Sequence, residues 1–206
     1  MKRREAIAGV ASLGVLGAGG VVITRGLPAV DSESPAADGS DDNAGWSDGP
    51  IELETIDVQG SEDGTLPVPN DGVTLLNFFA PSCGSCRRAM PHFAAAVDRL
   101  RADYADVLTV ASVTPPRPED ELADWWDDHD GDWYLGYDPK SRLSTRYFVT
   151  GYPVFIAVDP DDEVRWEDDG VIDADRTVRR LEPILEEFVT DAADDSTESA
   201  DDAADE

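Results

Sequence analysis

The only two cysteines of the chain stand two residues apart, in Cys83-Gly84-Ser85-Cys86, and everything around them narrows what the chain can become. They follow an apolar run, Val73-Thr74-Leu75-Leu76-Asn77-Phe78-Phe79-Ala80, and they open a segment with helical spacing. A C-x-x-C pair where a strand hands over to a helix is the arrangement a thiol–disulfide site needs. The helix start supplies unpaired N–H groups and a partial positive charge, and both favour thiolate over thiol. The short spacing lets the second thiol attack a mixed disulfide formed by the first. A bond between positions i and i+3 closes a very small ring, so it contributes little through loop entropy and a purely structural staple is the weaker reading. Taken alone, the pair is still compatible with redox chemistry, metal ligation or a staple.

Charge excludes some partners. Across 206 residues, 45 Asp and Glu oppose 16 Lys and Arg, a formal net charge of −29. Phosphate binding needs basic surface, so nucleic acid is excluded as a partner, as is docking on an anionic membrane surface. Residues 31–48 and 191–206 carry part of this acidity and contain no Lys or Arg. The middle is acidic too, as at Asp124, Asp127, Asp128, Asp130 and Asp132. Acidity spread over a folding core is expected of a protein kept soluble in very high salt, which screens self-repulsion, and hence of a halophilic source. The plainer alternative is an ordinary acidic protein with two acidic ends.

The ends separate from the middle by composition. Met1-Lys2-Arg3-Arg4-Glu5 precedes Ala6 to Ile23, which carries no charge. A basic start before an apolar stretch is the layout of an export signal, and Arg3-Arg4 loosely resembles a twin-arginine signal. The stretch is at the lower edge of what spans a bilayer, so cleavage and retention as an anchor both stay open for residues 1–25. Either way the basic end stays inside and the rest lies outside, at the outer face of the cytoplasmic membrane or beyond it. Residues 26–50, rich in Asp, Ser, Gly, Pro and Ala, read as a disordered acidic linker, and 190–206 as a disordered acidic tail. The folded domain is expected over 51–189.

Within it, Ile51, Leu53 and Thr55 alternate with Glu52 and Glu54, a half-buried strand, and the turn-rich stretch Gly60–Gly72 is expected to hold a short hairpin at Thr65–Val68. Val73–Ala80 reads as a buried strand. Met90, Phe93, Val97, Leu100 and Tyr104 recur at helical spacing after Cys83, with Pro91 expected to kink that helix. Val107–Val113, Trp133–Tyr137, Val154–Val158 and Glu163–Trp166 read as strands. Pro118 opens a helix to about His129, Asp138-Pro139 caps a short one, and Asp173 caps the last, with Pro183 inside its pattern. The order β, hairpin, β-α-β-α-β-α-β-β-α predicts a three-layer α/β/α domain on a mixed sheet.

Several of these residues together resemble a family. Leu75–Ala80, Cys83-Gly84-Ser85-Cys86, Arg88-Ala89-Met90-Pro91, and Tyr147-Phe148-Val149-Thr150-Gly151-Tyr152-Pro153 before Phe155–Asp159 look like the thioredoxin fold. The match is to the TlpA/ResA/CcmG-like branch of exported thiol–disulfide oxidoreductases, which also carries an extra helix and strand, here about 117–137. The resemblance covers about 51–189. It implies a cis peptide before Pro153, lying against the disulfide, with the Tyr152 backbone free to pair with a substrate strand. It implies no cofactor. The implied partners are exported proteins bearing disulfides or dithiols, apocytochrome c among them, and a membrane electron donor. The chain departs from the family at Ser82, usually Trp, at Ser85, usually Pro, and at Tyr152, often Thr or Val. Asn77 stands where cytosolic thioredoxins carry a buried Asp.

The candidate site is therefore Cys83 as nucleophile at the exposed helix start and Cys86, one turn in, as the resolving thiol. Tyr152 and Pro153 form the substrate-binding element; Ser82, Gly84, Ser85 and Arg87 support the cysteines. Arg87 and Arg88 are basic residues in an acidic chain that either stabilise the thiolate or pair with local carboxylates. His92 and His129 with two cysteines make an incomplete metal set at the wrong spacing, so no metal is expected. Trp125, Trp126 and Trp133 read as packing. Outside the dithiol reading stand a redox-inert or copper-carrying binding module and a thiol peroxidase.

Overall fold

The computed structural model describes residues 49–202, and side chains to Thr190. The expected signal or anchor segment and the acidic linker lie outside the described residues, apart from the last two linker positions. No helix among the described residues is long and apolar enough to cross a membrane.

Seven strands make one mixed sheet: β1 (Ile51–Thr55), β2 (Gly64–Val68), β3 (Val73–Phe78), β4 (Leu108–Thr114), β5 (Tyr134–Tyr137), β6 (Val154–Val158) and β7 (Val164–Asp169). Their order across the sheet is β2-β1-β5-β4-β3-β6-β7. Strands β3, β4 and β5 run parallel, whereas β6 is antiparallel to β3, and β1, β2 and β7 extend the edges in antiparallel pairs. Every residue of β3 is buried, which is what a central strand covered on both faces requires.

Alternation along β3 sends Val73 and Leu75 into one core and Leu76 and Phe78 into the other. The first core takes helices α1 (Gly84–Tyr104), α2 (Glu119–Asp127) and the start of α4 (Ala174–Asp202). At its centre Phe93 of α1 meets Trp133 edge-on at 5.2 Å and Phe155 at 5.0 Å. The second core is covered by α3 (Arg142–Arg146) and Tyr147, and takes the inner face of the N-terminal hairpin. These are the expected three layers.

Boundaries moved where tertiary pairing outweighed local pattern. Strand β7 runs three residues past Trp166 because Asp169 pairs with Val154. Asp138 caps α3 from a distance: its carboxylate accepts the N–H groups of Arg142, Leu143 and Ser144, so the helix starts at Arg142. Asp173 caps α4 through the Arg176 N–H. That helix does not stop at residue 189 but continues to Asp202, through a stretch free of Gly and Pro. Along it Leu185 is buried and Val189 43% exposed.

The second core holds one group with a pH signature. The buried Tyr147 hydroxyl donates to the Asp162 carboxylate at 2.7 Å. Burial first, then Asp162, push its pKa far above the ordinary tyrosine value, against a smaller opposing effect of Arg146. Since the folded pKa is raised, the neutral form stabilises the fold below the unfolded value of about 10, and that stability is lost as pH climbs above it. Wild type should therefore lose urea resistance more steeply above about pH 10 than Tyr147→Phe, which cannot ionise there. Parallel curves for the two proteins would remove Tyr147 as the cause.

Candidate active site

Strand β3 ends at Phe78, and Phe79 still donates its N–H to Val113 at the end of β4. The chain then turns at Ala80, whose carbonyl accepts the Cys83 N–H at 2.9 Å, and enters α1. Cys83 is the N-cap residue, with extended backbone (φ −81°, ψ 115°), and its Sγ accepts the Cys86 N–H at 3.2 Å. Cysteine here does what serine or aspartate does at ordinary helix starts. The cap points a backbone donor and the positive end of a 21-residue helix at one sulfur. No acidic residue occupies the first turn to oppose this.

Cys83 and Cys86 are joined as a disulfide, with Cα atoms 5.3 Å apart. The two sulfurs are unequally accessible: Cys83 is half-buried, whereas Cys86 is 1% exposed and packs in the first core. Gly84 and Ser85 fill the turn between them. The guanidinium groups of both Arg88 and Arg87 fold back toward Gly84, within 3.7 and 3.9 Å of where a Cβ would sit. In a chain of net charge −29, these two cations stand over the turn that carries the disulfide. Ser82 is exposed immediately before the pair.

The second wall comes from far along the sequence. The Tyr152–Pro153 peptide is cis, the geometry the family resemblance implies. The Tyr152 carbonyl lies 3.6 Å from Cys83 Sγ and 3.4 Å from Ser85 Oγ, and that hydroxyl lies 3.1 Å from Cys83 Sγ. In the closed disulfide the sulfur has no proton, so the serine hydroxyl is the donor to either partner; a reduced Cys83 thiol can itself donate to the carbonyl. Burial, and then Asp138, raise the Tyr152 hydroxyl pKa, which keeps it neutral. Pro153 is buried, and its carbonyl accepts the Gly170 N–H at 3.1 Å, tying the loop after β7 to the site.

Cys83, Ser85, Tyr152 and Pro153 thus converge on one point, with Gly84 and Arg87 beside it. Three further features were not read from the sequence. Asn77 is buried, and its Nδ2 donates to Ser112 Oγ at 3.1 Å and to Met90 Sδ at 3.6 Å, the methionine lying one turn beyond Cys86. Trp133 Nε1 donates to the same serine at 2.8 Å, so a polar chain threads the first core. Trp125 stacks on Phe79 at 4.7 Å, and His129 on Trp125 at 4.0 Å. Only spacing in three dimensions joins these residues. His92 is exposed on α1, and among the described residues no group of three or more His, Cys, Asp or Glu is arranged to hold a metal.

A model of the AhpC/TSA family matches residues 54–179. No curated protein matches the chain in sequence. Among solved structures, StoA from Bacillus subtilis superposes with a TM-score of 0.55 at 17% identity, over 66% of this chain and 98% of that one. A putative thiol:disulfide interchange protein DsbE from Chlorobium tepidum gives 0.53 at 20%, over 66% and 93%. The thioredoxin domain of a thiol-disulfide oxidoreductase from Bacteroides vulgatus gives 0.54 at 16%, over 66% and 93%. The fold is the thioredoxin fold.

Proposed function

The chain belongs to the AhpC/TSA family, and from that premise we propose that it is a thiol–disulfide oxidoreductase of exported proteins, working chiefly as a reductase. One observation carries the reading: an asymmetric Cys83–Cys86 pair at a helix start, with the accessible sulfur facing the Tyr152 carbonyl. In the reduced chain, thiolate Cys83 attacks one sulfur of a substrate disulfide. A Cys83–substrate disulfide forms, the substrate S–S bond breaks, and its other sulfur leaves as a thiolate that takes a proton from solvent. Cys86 then loses its proton and attacks Cys83 Sγ, closing the Cys83–Cys86 disulfide and releasing the second substrate thiolate. Two electrons have passed from chain to substrate, and a dithiol donor at the membrane restores the chain.

The cap at Cys83, the arginines over Gly84 and the Ser85 hydroxyl all stabilise the Cys83 thiolate that attacks in the first step. The Tyr152 carbonyl is positioned to accept an N–H of a substrate backbone running past Cys83. The N-terminal layout supports delivery to the outer face of the membrane, and apocytochrome c cysteines are among the substrates this reading assigns.

A thiol peroxidase of the related branch needs a Thr-x-x-x-Cys pocket with a supporting arginine; here Phe79 holds the threonine position, and Cys86, three residues on, is bonded to Cys83. Insulin reduction by dithiothreitol separates the two. Purified protein should accelerate insulin precipitation and consume hydrogen peroxide no faster than buffer. Peroxide turnover without insulin reduction would overturn the assignment.

We also assign the chain to a high-salt environment, on the acidity of the folded part. Its thermal midpoint should rise steadily as potassium chloride is raised from about 0.1 M to above 1 M, because the screening length falls from about 10 to about 3 Å. A midpoint that stays flat or falls would contradict this.

A further inference from the structure

Among the described residues, three of the six large apolar side chains that are more than a third exposed belong to the two loops meeting at Pro153: Phe148 at 83%, Tyr152 at 38% and Val171 at 48%. Phe148 is the most exposed of all six and also has a left-handed backbone, φ 53°. The cause is local. Helix α3 ends at Arg146, and its last carbonyls are closed by the Val149 N–H to the Ser144 carbonyl at 2.8 Å and the Phe148 N–H to the Thr145 carbonyl at 3.3 Å. This is the Schellman closure, and Phe148 holds the position where glycine is the ordinary residue because a Cβ is penalised there. The closure turns Val149 toward the second core and leaves the phenyl ring in water.

Phenylalanine at this position therefore works against the fold twice: it strains the backbone, and it exposes apolar surface on an otherwise acidic molecule. Stability and solubility both favour glycine, and strained residues of this kind gather where a protein binds. Phe148 is four residues from Tyr152, so their Cα atoms lie within about 14 Å, a span that roughly four residues of extended chain can cover. On the other side of Pro153, Val171 follows Gly170, whose N–H binds the Pro153 carbonyl.

We propose that Phe148 and Val171 grip apolar residues on either side of the target cysteine in an extended segment of a protein substrate, making Phe148 a specificity-determining residue. The occupant is a protein chain because Phe148 and Val171 stand on two separate loops beside the Tyr152 carbonyl, along which an extended backbone running past Cys83 would lie, and it is apolar because the two side chains offer no charge or hydrogen bond. The inference rests on the exchange reading above and adds to it which substrates are favoured.

Phe148→Gly tests it, since glycine suits the helix closure and the variant should fold at least as well. The expected result is a kcat/KM for insulin lowered by about tenfold or more, from the apolar burial lost. The value for glutathione disulfide should stay within about twofold, and the melting temperature should be unchanged or higher; a residue with only a structural role would lower it. Phe148→Leu should recover most of the insulin rate. Insulin kinetics unchanged in Phe148→Gly, or both substrates losing rate equally, would overturn the proposal. If wild type reduces neither substrate, the exchange reading itself fails and this one falls with it.

Discussion

Cys83→Ser should abolish disulfide exchange, with a loss of at least about 10⁴-fold, because a hydroxyl at this position supplies no competent nucleophile at neutral pH. The fold should survive, since serine is a good N-cap and can accept the same Cys86 N–H. The small ring closed by the disulfide gives up little stability when opened. Cys86→Ser should behave differently. Cys83 can still attack, but nothing resolves the intermediate, so a mixed disulfide with the substrate accumulates. It is measured by non-reducing electrophoresis and located by peptide mass after alkylation. The asymmetry follows from burial: Cys86 is 1% exposed behind Cys83 and has no path to a partner protein. An adduct trapped on Cys86 in the Cys83→Ser protein would reverse the assigned roles.

The second large effect lies beneath the site. Phe93 is fully buried on α1 and joins that helix to Trp133 and to Phe155 of β6. Phe93→Ala removes most of a ring from the centre of the first core, and such deletions cost about 3–5 kcal/mol. Small domains hold only about 5–15 kcal/mol in total, so the variant should unfold at a much lower urea concentration, with an unchanged slope. The measurement is urea unfolding of both proteins in the same high-salt buffer. A loss below about 1 kcal/mol would mean that the cavity collapses or that Phe93 is not central to this core.

How far the sequence revealed this molecule depended on the range of the interaction. The strand-to-helix junction at Cys83 was legible because an apolar run, a cysteine cap and helical spacing are neighbours in the chain. The sheet was legible because β3, β4 and β6 are short apolar runs separated by helical patterns. The closeness of Tyr152 to Cys83, 69 positions apart, came only from the family resemblance; periodicity alone carries no such information. The chain from Asn77 through Ser112 to Trp133 was invisible because Asn77 stood out only by comparison with cytosolic thioredoxins and Trp133 read as packing, and nothing local joins either to Ser112 until the sheet brings them together. Phe148 was hidden for a different reason. Between Tyr147 and Val149 it reads as one more core aromatic, and only the closure of α3 reveals that its backbone is left-handed and its ring exposed. The helical continuation to Asp202 was missed because acidity was read as disorder, while the lack of glycine and proline there permits a helix.

All of these features matter to function only if the Cys83–Cys86 bond opens and closes in use. The most direct measurement is its equilibrium with glutathione in high salt, approached from fully oxidised and from fully reduced protein, with free thiols counted after acid quenching and alkylation. The expected result is one two-electron transition, with Cys83 and Cys86 gaining and losing label together and the same midpoint reached from both directions. A bond that stays closed both across the whole range of glutathione ratios and in the more strongly reducing dithiothreitol couple, or two cysteines that respond independently, would contradict an exchange site.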